Sequence, residues 1–122
     1  MRIPKFRAWD KVERKMIEDV ASIHFKSEMI VTRNLCFYPF KDIELMQSTG
    51  LFDKNGKEIF EGDIVKDTDG YVGYIAFLKQ EMGYVIVYKT YDKRLGHRYR
   101  LDDGHLEILG NIYEHQYLLG ED

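Results

Sequence analysis

The stretch whose residue types best suit chemistry is Lys89-Thr90-Tyr91-Asp92-Lys93-Arg94-Leu95-Gly96-His97-Arg98-Tyr99-Arg100. Lys89, Lys93, Arg94, Arg98 and Arg100 give five formal positive charges against the single Asp92, with Tyr91 and Tyr99 interleaved. Cations neutralise phosphates, and exposed bases stack on aromatic rings, so the pattern suits contact with nucleic acid. It equally suits a solvated hairpin whose strand uses Lys and Arg to discourage edge pairing. Residues 101–122, which follow, carry six Asp/Glu and no Lys/Arg, while residues 1–15 carry six Lys/Arg and two Asp/Glu. Opposite-sign patches can meet across a symmetric interface and orient subunits, or neutralise one another within one subunit. The net charge of −3 excludes a general nucleic-acid glue.

Other constellations point to no catalysis. Glu58, Glu61, Asp63, Asp67 and Asp69 fall on turns and strand edges, where solvated carboxylates are expected. No nucleophile elbow, phosphate loop or dinucleotide fingerprint is present, so no enzyme and no cofactor are expected. Asp53-Lys54-Asn55-Gly56 begins like a calcium loop, but the twelfth place, which needs Glu, holds Ile64. His97, His105 and His115 lack partner cysteines or a His-Glu-x-x-His helix, so a zinc site is not expected. His24 reads as an ordinary edge or interior side chain. The single cysteine, Cys36, excludes an intramolecular disulfide and fits a reducing cytoplasm; within Leu35-Cys36-Phe37-Tyr38 it is expected to be buried.

The elements that must position these residues centre on 50–65, Gly-Leu-Phe-Asp-Lys-Asn-Gly-Lys-Glu-Ile-Phe-Glu-Gly-Asp-Ile-Val. Leu51-Phe52 and Ile59-Phe60 flank Asp53, Asn55 and Gly56, which predicts a hairpin with two possible closures. A two-residue type I′ turn at Asn55-Gly56 would set Phe52 opposite Ile59. A type I turn over Asp53–Gly56 with a glycine bulge would set Leu51 opposite Ile59 and turn Phe52 to the other face. Glu61-Gly62-Asp63 then breaks the chain, Gly62 serving the backbone and Asp63 bonding nearby N–H groups, before Ile64-Val65 opens a new strand. Short strands and turns at this spacing indicate a barrel or sandwich.

Along the rest of the chain, Ile3–Asp10 alternates as a half-buried strand, Met16-Ile17 completes a hairpin, and Val20–Phe25 is a further strand. Residues 26–34 read as a variable loop with a little strand at Met29–Val31. Leu35–Tyr38 is strand-like and stops at Pro39, and Ile43–Gln47 alternates into the organising hairpin. Tyr71–Leu78 is a strand interrupted by Gly73, which suggests a bulge or tight bend. Tyr84–Tyr88 is an unbroken apolar run, as expected of a strand covered on both faces. Leu106–Tyr113 gives a last strand and Glu114–Leu119 one or two helical turns. At 122 residues the chain reads as one domain: strands and hairpin over 1–48, a barrel-like part over 50–113, and a short helix and tail over 114–122. Met1–Lys5 leads into a charged strand with no secretory apolar core, and no apolar run approaches the ~20 residues of a membrane span. The expected location is the cytoplasm, with no membrane partner.

The run Met46-Gln47-Ser48-Thr49-Gly50-Leu51-Phe52-Asp53-Lys54-Asn55-Gly56-Lys57-Glu58-Ile59-Phe60-Glu61-Gly62-Asp63-Ile64-Val65 closely resembles the signature of the YopX-like proteins of bacteriophages and prophages. Lys5-Phe6-Arg7-Ala8-Trp9-Asp10 and Ile108-Leu109-Gly110-Asn111-Ile112-Tyr113-Glu114 match in order. The resemblance departs at His115-Gln116, where an Asn-Pro pair often follows in the family. It implies a mainly β protein with an SH3-like barrel part, additional N-terminal strands, self-association and no established activity. The reading that joins both lines is a non-enzymatic phage or prophage accessory protein, an oligomer-forming interaction module in the host bacterial cytoplasm. Its partners would be itself and another phage or host protein. The alternative is a small nucleic-acid-binding barrel using 89–100.

Overall fold

Strand-forming, aromatic-rich sequence with close-set turns gives strands and little else. The computed structural model describes residues 5–80, 82–88, 92–94 and 105–120. Of the described residues 55% are strand and 7% helical, and the sheets are antiparallel. The chain divides into two compact units, Ile3–Gln47 and Ser48–Asp122.

The first unit contains β1 (Phe6–Asp10), β2 (Lys15–Ile17), β3 (Val20–His24), β4 (Met29–Thr32), β5 (Phe37–Pro39) and the first half of β6 (Ile43–Phe52). β1 pairs antiparallel with β2 and with residues 43–47 of β6, Ala8 lying opposite both Ile17 and Leu45. Ala8, Ile17, Ile30 and Ile43 form the core of this unit. β1 is less half-exposed than its alternation suggests, for Trp9 as well as Ala8 is buried. The little strand expected at Met29–Val31 within segment 26–34 is β4, the middle strand of a sheet ordered β3-β4-β5. Ile30 and Thr32 of β4 are buried. Pro39 sits at the end of the outermost strand β5, opposite Met29, where its missing N–H does least harm. Cys36 is exposed rather than buried. The strand starts at Phe37, two residues later than expected, and Leu35, left-handed at φ 64°, leaves the thiol in the connection before it.

The second unit continues β6 into β7 (Glu58–Phe60), β8 (Asp63–Lys66), β9 (Val72–Leu78), β10 (Gly83–Val87), β11 (Asp92–Arg94) and β12 (Glu107–Asn111). Five of these form a sheet ordered β11-β10-β9-β8-β12. Its core is Ile59, Val65, Ile75, Ile86, Tyr88 and Leu106, with Leu51, Tyr84 and Ile108 packed against it. Full burial of an aliphatic side chain stabilises by about 1.5–3 kcal/mol, so Ile59, Ile75 and Ile86, all at 0–1% exposure, anchor the fold. Val85 and Ile86 are neighbours and both buried, as the unbroken apolar run of β10 implied.

Gly73 is neither bulge nor bend. β8 and β9 pair through it without a register shift, and a Cβ there would lie 2.6 Å from the Val87 carbonyl oxygen and 2.8 Å from Ile86 Cγ2. Glycine is needed because β10 comes so close. In this unit the ladder irregularities fall between Ser48 and Phe52 of β6 and between Ile108 and Gly110 of β12. At the first, Thr49 Oγ1 donates to the Ile59 carbonyl (2.8 Å) and Ser48 Oγ accepts the Gly50 N–H (3.0 Å), replacing ladder bonds that the bulge removes. The chain ends in a 3-10 turn over Gln116–Leu119 packed against β9.

Candidate functional site

Of the two closures open to the β6–β7 hairpin, the protein uses the type I turn with a glycine bulge. Gly56 has φ +81°, whereas positive φ outside glycine occurs, among the described residues, only at Arg14, Glu28, Leu35 and Met82. Asn55 is therefore not left-handed, which excludes type I′. The Gly56 N–H donates to the Asp53 carbonyl (3.0 Å) and the Asp53 N–H to the Lys57 carbonyl (2.7 Å). Phe52 faces Glu58 and is 44% exposed, while Ile59 and Leu51 belong to the core.

Asp53 fastens this turn twice over. Its Oδ1 accepts the N–H groups of Asn55 (2.9 Å) and Lys57 (2.8 Å), and its Oδ2 reaches β12 to accept the Ile108 N–H (3.1 Å). The Lys54 N–H donates to the Leu106 carbonyl (2.7 Å), and Lys54 and Lys66 flank Glu107 at 3.4 and 3.7 Å. Burial pushes the Asp53 carboxyl up, but the N–H groups of Lys57, Ile108 and Asn55 and the Lys57 charge outweigh it and hold it below the ordinary carboxylate value.

The same device recurs. Asp63 accepts the Phe60 N–H (2.8 Å) across Gly62, whose own N–H donates to the Ile75 carbonyl and whose carbonyl accepts from Ile112. Asp67 accepts from Asp69 and Tyr71 (2.9 Å each) and takes the Tyr88 hydroxyl on its other oxygen (2.8 Å). In the first unit, Asp10 accepts from Val12 and Glu13. Asn111 accepts from Tyr113 and Glu114 and donates to Glu114. The expectation of solvated carboxylates fails for Asp63, which is 2% exposed; like Asp53 at 3%, it is buried because its oxygens replace water as partners for turn N–H groups. Asp53, Asn55, Gly56 and Gly62 lie in the connections on either side of β7, and Asp63 opens β8. Among the described residues no group of three or more His, Cys, Asp or Glu could hold a metal.

Of the basic segment, only Lys93 and Arg94 fall within the description, as backbone of β11, opposite Ile86 and Val85 at the end of the five-stranded sheet. Lys89, Tyr91, Arg98, Tyr99 and Arg100 lie outside the described residues.

The strands expected over Tyr71–Leu78 and Tyr84–Tyr88 form the β9–β10 hairpin, and what the sequence did not announce is the apolar surface at its tip. Tyr88, Ile86 and Tyr84 share a face of β10, and Ile75 and Phe77 oppose Ile86 and Tyr84 on β9. Along this face exposure rises from 0–1% at Ile86 and Ile75 to 45% at Phe77, and the tip residue Met82 is 80% exposed. The Phe77 and Tyr84 rings meet edge to face at 5.2 Å. Burial, with the Glu61 charge adding to it, pushes the Tyr84 hydroxyl up, so it stays protonated as a donor. Met82 holds φ 52°, a conformation a Cβ disfavours. The signal was a methionine within a segment of turn residues.

Comparison with known proteins completes the description. The family model described as YopX protein matches residues 5–120. The crystal structure of protein EF1440 from Enterococcus faecalis is similar at 30% sequence identity and a TM-score of 0.72, covering 98% of this chain and 99% of that one. No curated protein matches the sequence. Where the family often carries Asn-Pro, His115 of this chain accepts the Asn111 N–H on Nδ1 (3.1 Å), a role an asparagine Oδ1 fills equally.

Proposed function

The chain belongs to the YopX protein family, and from that premise we propose that it is a non-enzymatic accessory module that self-associates through its β9–β10 hairpin. One observation carries the reading: the core of the second unit runs out onto the surface through Tyr84, Phe77 and Met82. Contiguous exposed apolar surface marks interaction sites, and aromatic anchors dominate their energetics. The buried turn carboxylates support it from the other side, since their oxygens are engaged by backbone N–H groups. A second copy is the favoured occupant because two such hairpins packed about a two-fold axis would each cover the other's exposed Phe77 and Met82. Among the described residues no helix is long and apolar enough to cross a membrane, and the reading places the module in the cytoplasm of a host bacterial cell.

Light scattering over a range of concentrations tests it. The wild type should be a closed oligomer, and Phe77→Ser/Met82→Ser should lower its mass without unfolding it. A wild type that stays monomeric at every concentration overturns self-association. An oligomer indifferent to the double substitution overturns the face.

The alternative, a nucleic-acid-binding barrel, is favoured by Lys93 and Arg94 lying on the outermost strand β11. Under that reading a single-stranded oligonucleotide binds with an affinity that falls steeply with salt, and Lys93→Glu/Arg94→Glu abolishes it. Absence of binding at low salt removes it.

A further inference from the structure

Asn55-Gly56 combines a side-chain amide with a following residue that has no side chain, at an exposed turn. Nothing lies within 4 Å of where a Gly56 Cβ would be, so water reaches the peptide freely. We infer that Asn55 is a site of spontaneous deamidation that the folded turn guards.

The step needs only water. The Gly56 backbone nitrogen attacks Asn55 Cγ; the N–Cγ bond forms, the Cγ–Nδ2 bond breaks, and the Gly56 N–H proton leaves through water while the departing amide takes one up, releasing ammonia. The resulting succinimide adds one water across either of its carbonyl–nitrogen bonds, leaving aspartate or isoaspartate at position 55. No oxidation occurs. Asparagine is a thermolabile residue for this reason. Asn34 and Asn111 precede Leu35 and Ile112, whose side chains hinder the same attack.

The fold opposes it at the attacking atom. The Gly56 N–H is committed to the Asp53 carbonyl at 3.0 Å. Asp53 Oδ1 fixes the Asn55 and Lys57 N–H groups on either side of it, which holds the main chain of the turn in place. Attack therefore requires the turn to open first. An isoaspartate would also add a main-chain methylene between Asp53 and Lys57, the two residues whose N–H and carbonyl close the hairpin. The modification would thus loosen the hold of Asp53 on Ile108 and lower the melting temperature.

The test is incubation of the full chain at mildly alkaline pH in native buffer and in concentrated urea, followed by peptide mapping by mass spectrometry. Conversion at position 55 is expected in both, with none from Asn55→Ser. A single hydrogen bond is worth about tenfold in an equilibrium, so the native rate should be lower by roughly tenfold or more. Equal rates in the two conditions overturn the guard. Unmodified Asn55 in urea, or faster conversion at Asn34 or Asn111, overturns the site.

Discussion

Two hairpin turns of the second unit are built on opposite terms. The β6–β7 turn is closed by glycine at the one position with positive φ and by a carboxylate that accepts three N–H groups. At the β9–β10 turn, the described tip residue is a methionine, in a conformation that suits glycine and 80% exposed to water. The first arrangement is what stability alone would select. The second exposes an apolar side chain and strains its backbone, a combination that the proposed self-association would account for. Leu35 of the first unit shares both traits, at φ 64° and 76% exposure.

The largest test of the contrast is Asp53→Ala. It strands the N–H groups of Asn55, Lys57 and Ile108, and charge-assisted bonds of this kind predict a loss of about 3–4 kcal/mol in urea unfolding. A loss near zero would show that water replaces the carboxylate and that the turn is not fastened by it. Because the folded carboxyl titrates below its ordinary value near 3.8, its contribution is whole above that value and disappears as pH falls through the lower folded value. The acid limb of the stability profile should therefore flatten in Asp53→Asn.

Asp67→Ala should cost less, about 1–2 kcal/mol, since that turn is partly exposed and water can serve Asp69 and Tyr71. The Tyr88 hydroxyl carries most of the expected loss, and Asp67→Ala/Tyr88→Phe should cost little more than Asp67→Ala alone, as the cycle of a coupled pair requires. At the third turn of this kind, His115→Ala should cost about 1 kcal/mol while His115→Asn is nearly neutral, because Oδ1 can accept the Asn111 N–H in place of Nδ1. Equal losses in the two variants would assign the effect to packing over Gly110 instead.

The contrast also separates what sequence could reveal from what it could not. Asn55-Gly56 announced a turn, since few residues tolerate what it requires, yet both closures satisfied the same residues. The choice rests on Asp53 reaching Ile108, fifty-five positions away, which no local pattern contains. Gly73 drew attention for the wrong reason, because the atoms that exclude a side chain belong to β10. β4 was legible only as a little strand at Met29–Val31 inside a loop, and Cys36 was misplaced because β5 begins at Phe37, two residues after the expected start at Leu35. The basic residues 89–100 were legible as composition, but charge along a strand does not say what it faces. The apolar tip escaped for a related reason: 79–83 read as a turn, and only three-dimensional placement shows how far Met82 is exposed there.

Met82→Gly is the smallest change and the one that divides the two terms of the comparison. Glycine occupies φ 52° without the Cβ penalty, so the isolated fold should gain about 0.5–1 kcal/mol in urea unfolding at concentrations where the protein is dissociated. Under the interaction reading the same substitution removes an interface anchor, so association should weaken and the mass in solution should fall at a fixed concentration. Opposite signs in the two measurements would show a residue retained for contact against the interest of the fold. If stability rises and association is untouched, Met82 is not the anchor and Phe77 becomes the side chain to test. If stability falls, the methionine is supporting the hairpin itself, and the difference between the two turns is one of means and not of purpose.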